Sequence, residues 1–177
     1  MPWDAPGATA LVVPTPEAEP VTGRWYREHS PAGREGMAPH ITLLVPFVPV
    51  PLLDERVESR ARRVLAAYDP FDYWLDRVER WPGGILYLAP QPAVHFVELT
   101  EALVAEFPEY PPYDGAHDKV IPHATVAVSD DRSLLDRIGR EVEPKLPIAC
   151  RAASVELVER GANGRWSLRR SYPLGSF

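Results

Sequence analysis

Sulfur is scarce in this chain: one cysteine, Cys150, and two methionines stand among 177 residues. A lone cysteine rules out an internal disulfide and a thiolate-built metal site, and beside Ile148 and Ala149 it reads as a small buried hydrophobe. A surplus of basic charge is also missing, since 19 Lys and Arg against 25 Asp and Glu leave a net charge of -6. A protein that grips long nucleic acid through its phosphates carries the opposite footprint, so the balance argues against that class and leaves room for a small phosphorylated ligand. The longest apolar stretch, residues 41–53, is broken by Pro46, Pro49 and Pro51, and the opening Met1-Pro2-Trp3-Asp4 has neither the basic nor the apolar region of a secretory signal. No membrane role and a cytoplasmic location are the expectations. The phosphate-loop, dinucleotide-binding, HExxH and GxSxG motifs are absent too.

What the chain does have is a repeat. Pro39-His40-Ile41-Thr42 returns as Pro122-His123-Ala124-Thr125, each time opening an apolar run, Leu43-Leu44-Val45 and Val126-Ala127-Val128. From the chain's composition, two Pro-preceded His-x-Thr motifs arise by chance with a probability on the order of 10⁻⁴. A strand has a side-chain period of two, so His and Thr share one face while Ile41 or Ala124 turns inward. Each strand presents an imidazole beside a hydroxyl.

In chain order, residues 8–13 read as a strand, and Thr15-Pro16-Glu17 starts a helix carrying Val21, Trp25 and His29. A Gly/Pro loop, 30–38, holds Arg34 and leads into a strand over 39–47. Leu53, Val57, Ala61, Leu65 and Tyr68 mark an amphipathic helix, followed by strands over 71–81 and 85–88 around Pro82-Gly83-Gly84. Phe96 to Phe107 is helical, 108–121 is a long loop with His117 and Lys119, and the second motif strand runs over 122–129. A helix capped by Asp130-Asp131 and a closing pair of strands, 148–158 and 165–172, complete the chain. Residues 8–80 and 85–172 thus repeat one order of elements, as a duplication would. The expected fold class is α+β, a single bilobal domain over 1–177: two pseudo-symmetric lobes, each an antiparallel sheet with helices on the outside, around a central cleft.

Two imidazoles across a cleft supply a general base and a general acid near neutral pH, and two threonine hydroxyls can donate to the non-bridging oxygens of a phosphate between them. His40, His123, Thr42 and Thr125 are therefore the catalytic candidates, and displacement at a phosphodiester is the chemistry they suit. Arg34 and Lys119, in loops bordering the cleft, are candidate phosphate partners against the plainer reading of solvated loop charge. Tyr87 and Trp166 are candidate stacking partners for a base, against core packing. His29, His95 and His117 read as surface or helix-face residues, His117 with the cleft as its alternative. No Asp or Glu stands at ligand spacing beside either motif, so no metal or cofactor is expected.

Paired His-x-Thr motifs on strands in the two parts of a duplicated short chain resemble the 2H phosphoesterase superfamily, whose bacterial branch includes the 2′-5′ RNA ligase-like proteins. The resemblance spans nearly the whole chain. It implies His40 and His123 as the catalytic pair and Thr42 and Thr125 as the phosphate-binding hydroxyls, with metal-free action on 2′,3′-cyclic phosphates, 2′-5′ linkages or related small phosphoesters. The partner it implies is a small nucleotide-type substrate or an RNA terminus, and a monomer is the expectation; a non-catalytic phospholigand-binding module and a 2′-5′ ligase or oligonucleotide phosphodiesterase are the rivals.

Overall fold

The computed structural model describes residues 2–117 and 119–175. Met1 and Asp118, which fall in the opening segment and the 108–121 loop, lie outside the described residues. The strands are β1 (Thr9–Pro14), β2 (His40–Leu44), β3 (Phe71–Trp81), β4 (Ile85–Gln91), β5 (Ala124–Val128), β6 (Ile148–Ala152), β7 (Ser154–Arg160) and β8 (Trp166–Pro173). The helices are α1 (Glu19–His29), α2 (Pro31–Arg34), α3 (Glu55–Ala66), α4 (Val94–Glu106) and α5 (Arg132–Val142).

The strands form one antiparallel sheet in the order β6-β3-β4-β5-β2-β1-β7-β8. It divides at its middle into two four-stranded halves, because β5 and β2 share a single registered pair, Ile41 with Ala124. The fold is α+β with two antiparallel halves, as expected. Its halves, however, are not the two stretches 8–80 and 85–172. β3 leaves the first stretch to pair with β4 and β6, and β7 leaves the second to pair with β1 and β8. The helices cross likewise: α1, which follows β1, packs on β5, and α4, which follows β4, packs on β2.

The period-two pattern explains which face is covered. Ile41, Leu43, Ala124 and Val126 point to the helix side, where they join Leu65, Phe96, Leu99, Leu103, Leu135 and Ile138 in one buried core. Burying each such leucine or phenylalanine contributes about 1.5–3 kcal/mol. Asp54 and Asp131 cap α3 and α5 by accepting from the Val57 amide and from the Ser133 and Leu134 amides. Thr15 makes no such cap; Pro16–Ala18 is a 3-10 turn, and α1 begins at Glu19 with Pro20 in its first turn, where a missing N–H costs nothing. The loop 30–38 contains the short helix α2.

The stretch read as one strand over 148–158 is two. β6 ends at Ala152 beside β3, and β7 starts at Ser154 beside β1, so the chain steps from one half of the sheet to the other across Ala153. The apolar alternation changes phase at this step, with Ile148, Cys150 and Ala152 buried before it and Val155 and Leu157 after it, but alternation reports which face a side chain takes, not which neighbour its strand has.

Candidate active site

The face of the sheet away from the core carries both motifs. His40 opens β2, while His123 stands one residue ahead of β5. Continuing the antiparallel register of the Ile41–Ala124 pair by one residue each way sets His40 opposite Thr125 and Thr42 opposite His123. The two histidines and two threonines therefore form a quartet in which each imidazole neighbours the hydroxyl of the other motif. Ile41 and Ala124, between them, are buried on the reverse face and anchor the quartet to the core. Neither threonine hydroxyl has a hydrogen-bond partner among the described residues.

Both rings are oriented in the same way. Nδ1 of His40 lies 2.8 Å from the Ala38 carbonyl oxygen, and Nδ1 of His123 lies 2.7 Å from that of Ile121. A carbonyl only accepts, so each Nδ1 carries the proton and donates it, leaving Nε2 as the working nitrogen. The Tyr26 hydroxyl, 3.5 Å from His40 Nδ1, backs one ring; Trp81 and Tyr87 meet His123 edge-on at centroid distances of 4.5 and 5.6 Å. Burial pushes His40 down to about 4; the Ala38 bond opposes this and His123 adds to it. Burial lowers His123 as well, against the Ile121 bond. At neutral pH the pair is uncharged, and an anion placed between the rings would favour their protonated form.

Each histidine looks into its own cavity. Beside His123 is one of about 380 Å³, lined by Trp81, Ile85, Tyr113, His117 and Lys119 among others. Beside His40 is one of about 170 Å³, walled by Met37, Glu156, Trp166 and Leu168. A second apolar cluster runs beneath them, Ala10, Val12, Val45 and Val158 with Trp3, Met37, Tyr113 and Trp166 packed on it. Tyr113 is held there in left-handed backbone, φ 51°, with its amide donating to the Val45 carbonyl at 2.6 Å, and His117 packs against its ring edge at 5.4 Å.

The structure brings Lys119, Tyr87 and Trp166 to the cleft. Tyr87 pairs with Thr125 across β4 and β5, and the Trp166 indole N–H donates to Glu35 at 3.1 Å, with Arg160 holding Glu35 from the other side at 2.8 Å. Arg34 is placed elsewhere: exposed on α2, its Nε donates to the Glu28 carbonyl at 3.0 Å, and it lines neither cavity. His117 lines the His123 cavity, whereas His29 stacks on Trp25 and His95 lies tilted against Phe71. Sequence reasoning does not single out Trp81, Tyr113, Met37 or Glu156; Trp81 alone carries a usable signal, as a strand-end aromatic before the Pro82 turn. Among the described residues no three His, Cys, Asp or Glu side chains are grouped to hold a metal ion, and no helix is long and apolar enough to cross a membrane.

A family model described as the 2′-5′ RNA ligase superfamily matches residues 13–164. The chain belongs to that superfamily, the 2H phosphoesterases. No curated protein sequence matches it. Among solved structures, LigT of E. coli complexed with 3′-AMP superposes with a TM-score of 0.63 at 17% identity, covering 97% of this chain and 100% of that one. Apo LigT gives 0.62 at 20% identity over 97% and 99%. The protein TT0787 of Thermus thermophilus gives 0.65 at 17% over 96% and 98%. At these identities the structures attest the shared fold, while membership in this superfamily of phosphoesterases and ligases rests on the family match.

Proposed function

We propose that this protein is a metal-independent cyclic phosphodiesterase that opens nucleoside 2′,3′-cyclic phosphates, at mononucleotides or RNA ends. One observation carries the reading: both Nδ1 atoms are committed to carbonyls two residues upstream, which leaves both Nε2 atoms free to exchange protons on the sheet face that also carries Thr42 and Thr125. One imidazole takes a proton from the attacking water as it adds to phosphorus. The other, protonated once the anionic substrate is bound, gives its proton to the departing ribose oxygen. The hydroxyls of Thr42 and Thr125 donate to the non-bridging oxygens as negative charge builds there. Lys119 and Tyr87 flank the anion from the His123 side, and Trp166 offers the nucleoside a stacking face on the His40 side. The 3′-AMP in the LigT complex is the kind of small nucleotide such a cleft suits.

Phosphorus NMR of the chelator-treated protein with a panel of 2′,3′-cyclic nucleotides tests this directly. Ring opening by the wild type and not by His40→Ala is the expected result. Opening at the wild-type rate by that variant, or silence across the panel from a folded protein, overturns it. Silence combined with tight binding of nucleoside monophosphates would instead make the cleft a ligand-binding module.

A further inference from the structure

The cavity beside His40 holds a carboxylate with no evident structural task, Glu156. On β7 it pairs with Val12, and Val12 pairs in turn with Thr42, so Thr42, Val12 and Glu156 form one row across the sheet. Neighbouring strands lie about 4.8 Å apart, which puts the Glu156 backbone about 10 Å from that of Thr42. A nucleoside reaches a comparable distance from its phosphate to the far edge of its base. The rest of the wall suits a base: Trp166 offers a flat face, fixed by its bond to Glu35, and Met37 and Leu168 are apolar.

We propose that Glu156 selects guanine, accepting the two adjacent N–H donors of its Watson–Crick edge while the phosphate sits between His40 and His123. This rests on the phosphoesterase reading above. A carboxylate only accepts hydrogen bonds, and its charge repels phosphate, so the group it meets must present N–H donors. Guanine places N1–H beside its exocyclic amine, a parallel pair that matches two carboxylate oxygens. Adenine and cytosine set their amine beside an acceptor, and uracil flanks a single N–H with two carbonyls.

The contrast with Glu35 is instructive. Glu35 is neutralised by Arg160, which holds its carboxyl below the usual range, and is occupied by Trp166. Glu156 has no hydrogen-bond or ion-pair partner among the described residues, and burial pushes its carboxyl up. A half-buried acceptor without a donor is costly, and a ligand that supplies the donors recovers that cost.

The test compares kcat/KM for guanosine and adenosine 2′,3′-cyclic phosphates, and calorimetric Kd values for 3′-GMP and 3′-AMP, in the wild type and in Glu156→Gln. The wild type should favour guanine about 10- to 100-fold, and Glu156→Gln, which replaces one acceptor oxygen with a donor amide, should bring the ratio near one. Equal handling of the two bases by the wild type overturns the inference without any variant, and so does an unchanged ratio in a Glu156→Gln protein whose melting curve matches the wild type. The two readings fail separately. Glu156-dependent binding of 3′-GMP with no ring opening keeps the guanine pocket and removes the phosphodiesterase; opening of both substrates at equal rates does the reverse.

Discussion

The two sides of the cleft share their chemistry and differ in their walls. On both, a proline leads into His-x-Thr, the imidazole is pinned through Nδ1 to the carbonyl two residues upstream, and the residue between His and Thr is buried. Around His40 the wall is narrow and acidic, with Glu156 in it and Trp166 fixed by Glu35. Around His123 it is more than twice as large and aromatic, with Lys119 and His117 in its lining. In the proposed reaction the symmetric quartet would supply both proton transfers at phosphorus, and the unmatched pockets would receive the two unlike ends of a substrate.

The largest effects should come from breaking the shared part. His40→Ala and His123→Ala are each expected to lower kcat/KM for a 2′,3′-cyclic nucleotide by about 10²- to 10⁴-fold, and the double variant should be little worse than either, because the two act as one unit. Multiplicative losses in the double variant would show that they act separately. Thr42→Val and Thr125→Val keep the strand-forming shape and remove one donor each, so each should cost about 10²-fold in kcat. Unequal losses would show that the phosphate sits off the axis of the quartet.

Changes in the walls should be milder and one-sided. Trp166→Ala removes a stacking face and should raise KM about tenfold with a smaller change in kcat. Trp81→Ala also frees the edge of the His123 ring, so it should lower kcat as well. Similar profiles for the two tryptophans would erase the distinction drawn between the walls.

Acidity sharpens the comparison further. Both imidazoles lie below the ordinary histidine value of 6.5, His40 at about 4, so in the free protein the imidazolium that would serve as the acid is lost as pH rises through values below 6.5. The alkaline limb of kcat/KM should therefore lie below pH 6.5 and that of kcat above it, since bound phosphate favours imidazolium. Coincident limbs would count against it. The same shift acts on stability. Between pH 6.5 and about 4 the unfolded chain binds a proton at His40 that the folded one does not, so stability falls as pH is lowered through that window, by about 1–3 kcal/mol. Urea titrations at pH 7 and pH 4.5 should show His40→Ala losing less stability than the wild type over that drop.

Much of this was legible in the sequence because the relevant signals are local. Alternation in 39–47 and 122–129 puts His and Thr on one face, apolar spacing in 53–68 marks α3, and Pro82-Gly83-Gly84 marks the β3–β4 turn. Glu156 and Tyr113 were not legible: one reaches the cleft through two ladders joining distant strands, the other through a left-handed turn stabilised by Val45. Arg34 shows the opposite error, since proximity in sequence to His40 did not bring its guanidinium to the cleft.

The exchange of β3 and β7 between the halves has a consequence for how the molecule comes apart. Each four-stranded half contains strands from both sides of the Pro82 turn, so a chain cut there yields no fragment with a complete half-sheet. The seam at Ile41 and Ala124 is thin, but the crossings act as straps across it. Such a molecule should unfold in one transition despite its two-part shape, and should fold slowly, because neither half closes until distant parts of the chain have met.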